Sequence, residues 1–260
     1  MIKPSVDYRQ FRFSKLNTPE FSHVWLLLYW PLFGLGFSYV ERFYPVAHYI
    51  NMHCALDDLI PFNEWFLIPY LFWFVYLIGA VAYTFFFDVP GFRRMMRFVM
   101  ITYSVTLIIY FLFPTCQMLR PEVFPRDNVL TRFIAGFYVF DTNTNVCPSL
   151  HVIGSMAAFF AFWYAPIFSK RGWRIASTVA AFFISISTVF MKQHSILGRR
   201  SHPAVRDRLL FCLRQNAEKI PQRRAGCHPI RNFIRRSSDR FCGCFFYTAL
   251  FPFSFAYIRA

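Results

Sequence analysis

The chain has 260 residues, of which 56% are apolar and 22% aromatic, with 36 phenylalanines and only 16% charged residues. A soluble domain carries about 25% charge, so this composition excludes an ordinary cytosolic enzyme, a disordered tail and a coiled coil, and fits a polytopic membrane protein. The net charge of +15 is uneven: residues 1–197 hold 15 Lys+Arg against 10 Asp+Glu, whereas residues 198–260 hold 13 against 3 and four of the seven cysteines.

Five apolar segments follow in chain order, at about 22–40, 62–86, 96–115, 148–167 and 173–191, with no Asp, Glu, Lys or Arg in their interiors. A membrane-crossing helix needs about 20 apolar residues to cover about 30 Å of hydrocarbon. The expectation is therefore an all-α, polytopic transmembrane helical bundle with five clear spans. The first 21 residues are polar and longer than a signal n-region needs, so the first span reads as retained rather than cleaved.

Orientation follows from the basic residues between spans. Lys3, Arg9, Arg12 and Lys15 precede the first span, Arg93, Arg94 and Arg97 follow the second, and Lys170, Arg171 and Arg174 follow the fourth. Alternating spans put all three groups on one side, so the N-terminus is expected in the cytoplasm. The segment 116–147 and the end of the fifth span then face outward. The first outer loop carries Asp57, Asp58 and Glu64, read as a solvated acidic loop. Cys116 and Cys147 also face outward and are of a kind that pairs in an oxidising space; the sequence leaves their geometry open.

This threading collects polar groups on one membrane face. Arg120 lies in CQMLRPEVFPR, His151 in NVCPSLHV and His194 in STVFMKQHSIL. One cation and two imidazoles suit phosphoryl transfer. Arg grips phosphate oxygens in a planar fork, one His attacks phosphorus, and the other protonates the leaving alkoxide. Blander readings stand beside this one. A lone interfacial His is usually a loop residue, Arg120 alone is an anchor in the headgroup region, Ser149 caps a helix, and Pro148 suits a helix start.

PSLH opening a helix, the earlier RP and the later QHSIL resemble the type-2 phosphatidic acid phosphatase superfamily, whose motifs are approximately KxxxxxxRP, PSGH and SRxxxxxHxxxD. The resemblance covers roughly residues 20–197, about three quarters of the chain. Arg120–Pro121 match the first motif, Pro148, Ser149 and His151 the second with Leu150 in place of Gly, and Ser187 and His194 the third. The resemblance implies His194 as nucleophile, His151 as general acid, and Arg120 and Ser149 as phosphate ligands. Lys192 is a candidate additional cation. It implies a lipid phosphate or diphosphate as substrate, an active site on the extracytoplasmic face of the plasma membrane, and no metal or other cofactor. Membrane lipids are the expected surroundings and no nucleic acid is expected.

Three positions depart from the motifs. The first motif's Lys falls on Phe113, the third motif's Arg on Thr188, and its Asp on Gly198. That Asp would hold the nucleophilic imidazole in one tautomer. Gly198 is also where the composition changes and where a sixth span is expected. Gly198-Arg199-Arg200 written GGA-CGT-CGT and read one base later begins Asp-Val, and synonymous codons continue an apolar run. Residues 1–197 are therefore read as a phosphatase-like membrane domain, and 198–260 as a basic tail that is non-native or out of frame. Cys227, His228, Cys242 and Cys244 in that tail have no common zinc spacing. The competing functional readings are a catalytically inactive, truncated relative, and a membrane transporter or structural protein with unrelated histidines.

Overall fold

The computed structural model describes residues 4–196. The expectations placed on Gly198, on the tail 198–260 and on its cysteines and His228 lie outside them.

The first span begins as a 3-10 stretch, Ser22–Leu28, and continues as α1, Tyr29–Arg42. Pro31 lies where the 3-10 stretch passes into α1 and, lacking an N–H, makes no hydrogen bond to the preceding turn. A two-residue strand β1 (Ile50–Asn51) and a short helix α2 (Ala55–Leu59) lead to α3 (Leu67–Phe87). Only Asp88 separates α3 from α4 (Val89–Leu112). Asp88 caps α4 by accepting from the Gly91 amide at 2.9 Å, and Pro90 occupies the first turn. Arg93, Arg94 and Arg97, expected in a loop, thus lie on the opening turns of a helix.

Beyond α4, β2 (Thr115–Cys116) pairs in parallel with β1, in the register Ile50–Thr115 and Asn51–Cys116. The segment that the sequence leaves as a loop contains a helix, α5 (Val129–Phe140). Its start is set by a reciprocal cap in which Asn128 and Thr131 each bind the other's backbone amide, the arrangement that satisfies exposed helix donors. The last two helices are α6 (Leu150–Tyr164) and α7 (Arg171–Phe190).

Among the described residues four helices are long and apolar enough to cross a membrane: Ser22–Arg42, Glu64–Phe87, Val89–Leu112 and Arg171–Phe190. The chain is thus a mostly helical integral membrane protein, with four candidate spans rather than the five expected. The segment 148–167 yields only the 15 residues of α6, about 22 Å at 1.5 Å per residue. Its end has a local cause. Ala165 precedes Pro166 and is extended, at φ −71° and ψ 127°, because a following proline disfavours helical geometry.

α6 nonetheless sits at the centre, against α3, α4 and α7, while α1 runs along α4. Its Ala157 and Ala158 are buried with Tyr76, Ala80, Val99, Tyr103, Ala181 and Ile184. Small residues let helix backbones approach closely where hydrocarbon surrounds them. Large apolar side chains face outward on the long helices, among them Leu35, Val75, Ile78, Ile108 and Phe182, as a lipid-facing surface requires. The start of α6 is held by two tyrosines on the same face of α4, two turns apart: Tyr103 donates to the Leu150 carbonyl at 3.2 Å, and Tyr110 donates to the Pro148 carbonyl.

Candidate functional site

His194 lies just past the end of α7. Lys192 adopts a left-handed backbone at φ 53°, uncommon for a residue with a side chain. The amides of Gln193 and His194 both return to the Thr188 carbonyl, at 2.9 and 3.1 Å. This tight reversal swings His194 back toward the N-terminal end of α6. There its Nε2 lies 3.1 Å from Ser149 Oγ and its Nδ1 lies 2.6 Å from the Val146 carbonyl oxygen. A carbonyl can only accept, so Nδ1 carries the proton. Nε2 then holds the lone pair of the neutral ring, and the Ser149 hydroxyl donates to it. Burial pushes His194 down to about 4, opposed by the Val146 carbonyl and reinforced by the nearby Arg120 charge. The imidazole is therefore neutral at pH 7, the form a nucleophile needs.

His151, the second residue of α6, has its ring 6.3 Å from that of His194. It is held between Tyr70 and Trp73 of α3, each with its ring centre 4.3 Å away. Its Nε2 is buried and without a hydrogen-bond partner among the described residues. Gly154 makes this packing possible, since a Cβ there would stand 3.0 Å from Trp73 Cζ2 and 2.6 Å from Tyr103 Oη.

Arg120 adjoins the pair but is directed at the protein. Nη1 donates to the Tyr138 carbonyl at 3.0 Å, and Nη2 to the carbonyls of Asp141 and Thr142 at 2.6 and 2.7 Å and to Gln193 Oε1 at 2.5 Å. Its guanidinium also lies over the Tyr138 ring, 4.3 Å from the centroid. Nε is left buried without an acceptor. Burial lowers its pKa, and Asp141 is the largest opposing influence. Arg120 thus fastens the end of α5 to the residue preceding His194.

Lys192 points elsewhere. Its ammonium donates to the carbonyls of Asp57 and Ile60, at 2.7 and 2.5 Å, and so closes the C-terminal end of α2. The structure therefore brings together His194, Ser149 and His151, places Arg120 beside them as a charge and a fastener, and commits the Lys192 ammonium to α2.

Several contributors escape sequence reading. Asp141 accepts from Tyr70 Oη and from Gln193 Nε2, both at 3.0 Å, and burial raises its pKa. Asp57 and Glu64 are not solvated: they are 1% and 2% exposed. Asp57 accepts from Ser195 Oγ at 2.5 Å and from the Ile196 amide at 2.8 Å, securing the chain after His194. Glu64 instead pairs with Arg126 and Asn128. Asp58 does lie at the surface, against His53. Cys116 and Cys147 are free thiols. Among the described residues no group of three or more His, Cys, Asp or Glu side chains is arranged to hold a metal ion.

No family model matches this chain, and no match was found among curated proteins or among solved structures.

Proposed function

We propose that this chain is, by descent, a membrane phosphatase or phosphotransferase of the type-2 phosphatidic acid phosphatase kind, acting on a lipid phosphate or diphosphate through a phosphohistidine. The observation that carries this reading is the orientation of His194, with Nδ1 on a carbonyl and Nε2 presented toward Ser149 and His151. Nε2 attacks phosphorus as the bond from phosphorus to the lipid oxygen breaks, and His151 gives its proton to the departing alkoxide. The neutral His151 then takes a proton from water, or from an acceptor alcohol, which displaces Nε2 from phosphorus and restores both rings. Burial, reinforced by the neighbouring His194, disfavours the charged form of His151, so the ring takes up the proton it delivers only beside the negative charge of the bound phosphate. Arg120 offers a fixed positive charge and its unpartnered Nε, and the Ser149 hydroxyl turns from Nε2 to a phosphate oxygen.

The proposed setting is the plasma membrane, with the N-terminus cytoplasmic and the site extracytoplasmic, as the distribution of basic residues supports. Purified full-length protein in detergent micelles with phosphatidic acid tests the reading. Phosphate release abolished by His194→Ala and reduced at least about a hundredfold by His151→Ala is expected. Release that survives His194→Ala would sink it.

A second reading, an inactive relative, is favoured by one observation: the Arg120 Nη donors and the Lys192 ammonium are spent on protein acceptors. It predicts no release above the His194→Ala background.

A further inference from the structure

We infer that Glu41 is a positioning residue for His194, acting through the loop 144–147, and that the Val146 backbone carbonyl performs the tautomer-fixing task a carboxylate performs in Ser-His-Asp sites. The catalytic part of this inference rests on the phosphohistidine reading; the structural part does not.

Glu41 is the penultimate residue of α1 and is far in sequence from both histidines. Its Oε1 accepts from Thr144 Oγ1 and its Oε2 from Asn145 Nδ2, each at 2.8 Å. Two further bonds hold the same loop from β2: the Asn145 amide donates to the Thr115 carbonyl at 2.5 Å, and the Cys147 amide to Thr115 Oγ1 at 3.2 Å. Asn145 has a left-handed backbone at φ 52°, a conformation that asparagine tolerates better than most residues with a side chain. Such a conformation persists where surrounding contacts over-determine it. Asn145 and Val146 are both buried, at 5% exposure.

The result of these constraints is the direction of one carbonyl. The Val146 C=O is aimed at His194 Nδ1, and because that oxygen only accepts, it selects the tautomer with the proton on Nδ1. A side chain does not set this direction, so the loop must be held rigidly, and Glu41 supplies both side-chain acceptors that reach it from α1. The carboxylate is matched to its task. One oxygen faces a hydroxyl that can also accept, and the other faces an amide that only donates. Gln in its place can therefore put its oxygen toward Asn145 and its NH₂ toward Thr144, whereas Ala offers neither contact.

The test uses full-length protein carrying ¹⁵N-labelled histidine, with the His194 ring signals assigned by their loss in His194→Ala. The wild type and Glu41→Gln are expected to show a single neutral tautomer protonated at Nδ1. Glu41→Ala is expected to show a mixture and at least about a tenfold loss of phosphate release. Thr144→Val removes one of the two contacts at nearly constant volume and carries the test if Glu41→Ala does not fold; it is expected to show a smaller admixture. An unchanged single tautomer in the folded Glu41→Ala or Thr144→Val protein overturns the inference. A tautomer that shifts as expected in a protein that forms no phosphohistidine leaves the positioning role standing and removes the phosphoryl-transfer reading.

Discussion

The Nδ1 of His194 and the carbonyl oxygen of Val146 lie 2.6 Å apart, although 47 residues separate them. This contact couples the end of α7 to the loop before α6, and leaves Nε2 as the only ring nitrogen available for chemistry.

The first prediction concerns acid. His194 stays neutral down to about 4, whereas an exposed histidine takes up its proton near 6.5. Between these values the unfolded chain binds more protons than the folded one. Stability from this group is thus fully present above about pH 6.5 and is lost as pH falls toward 4. The loss is at most about 3 kcal/mol. Thermal unfolding in detergent should show a midpoint that falls across that window, and His194→Gln should flatten the fall. An identical pH slope in both proteins would count against the burial of a neutral imidazole.

Asp57 should prove a structural carboxylate. Asp57→Asn places an NH₂ against at least one of the Cys54 amide, the Ser195 hydroxyl and the Ile196 amide, all of which donate to the native side chain. Leaving a buried donor unmatched costs about 2 kcal/mol. The expected result is a lower unfolding midpoint together with faster hydrogen exchange at the Ile196 amide. Unchanged exchange there would show that Asp57 does not secure the segment after His194.

Gly154→Ala should disturb His151 through Trp73. The new Cβ collides with Tyr103 Oη and crowds the Trp73 indole, an overpacking that costs about 1–3 kcal/mol. Because the proposed role of His151 is to protonate the leaving group, hydrolysis of an alkyl phosphate should fall more than hydrolysis of an aryl phosphate, whose phenolate leaves unaided. An equal loss on both substrates would assign the effect to stability alone.

Much of the bundle is legible in the sequence, because apolar runs and the absence of charge are local properties. α3, α4 and α7 lie close to the expected segments, with α4 beginning earlier because Asp88 and Pro90 start a helix before the apolar run does. α6 falls short because Pro166 acts on Ala165, a one-residue effect inside a long apolar stretch. α5 is hidden by its length of 12 residues and by Arg132 in its first turn; the Asn128/Thr131 cap is its available signal. In the site, His194, Ser149 and His151 meet, and alternation of the spans is what places both histidines on one membrane face in the sequence. The roles of Arg120, Lys192, Asp57 and Asp141 depend on partners distant in sequence, and no local pattern reveals where a long cation ends.

The out-of-frame reading of residues 198–260 is tested at the gene. Resequencing across codon 198 from independent DNA should reveal a one-base difference that converts Gly198 to Asp and opens an apolar sixth segment. An unaltered frame would leave the Val146 carbonyl as the His194 Nδ1 acceptor with no carboxylate supplied at position 198.

The central claim is covalent chemistry at His194, and the direct measurement is the bond itself. Full-length protein is incubated briefly with ³²P-labelled phosphatidic acid, quenched in alkali and resolved by gel. The account predicts a label on the chain that is stable to base, labile to acid and absent from His194→Ala. No label in the wild type, or a label that persists in His194→Ala, would contradict it.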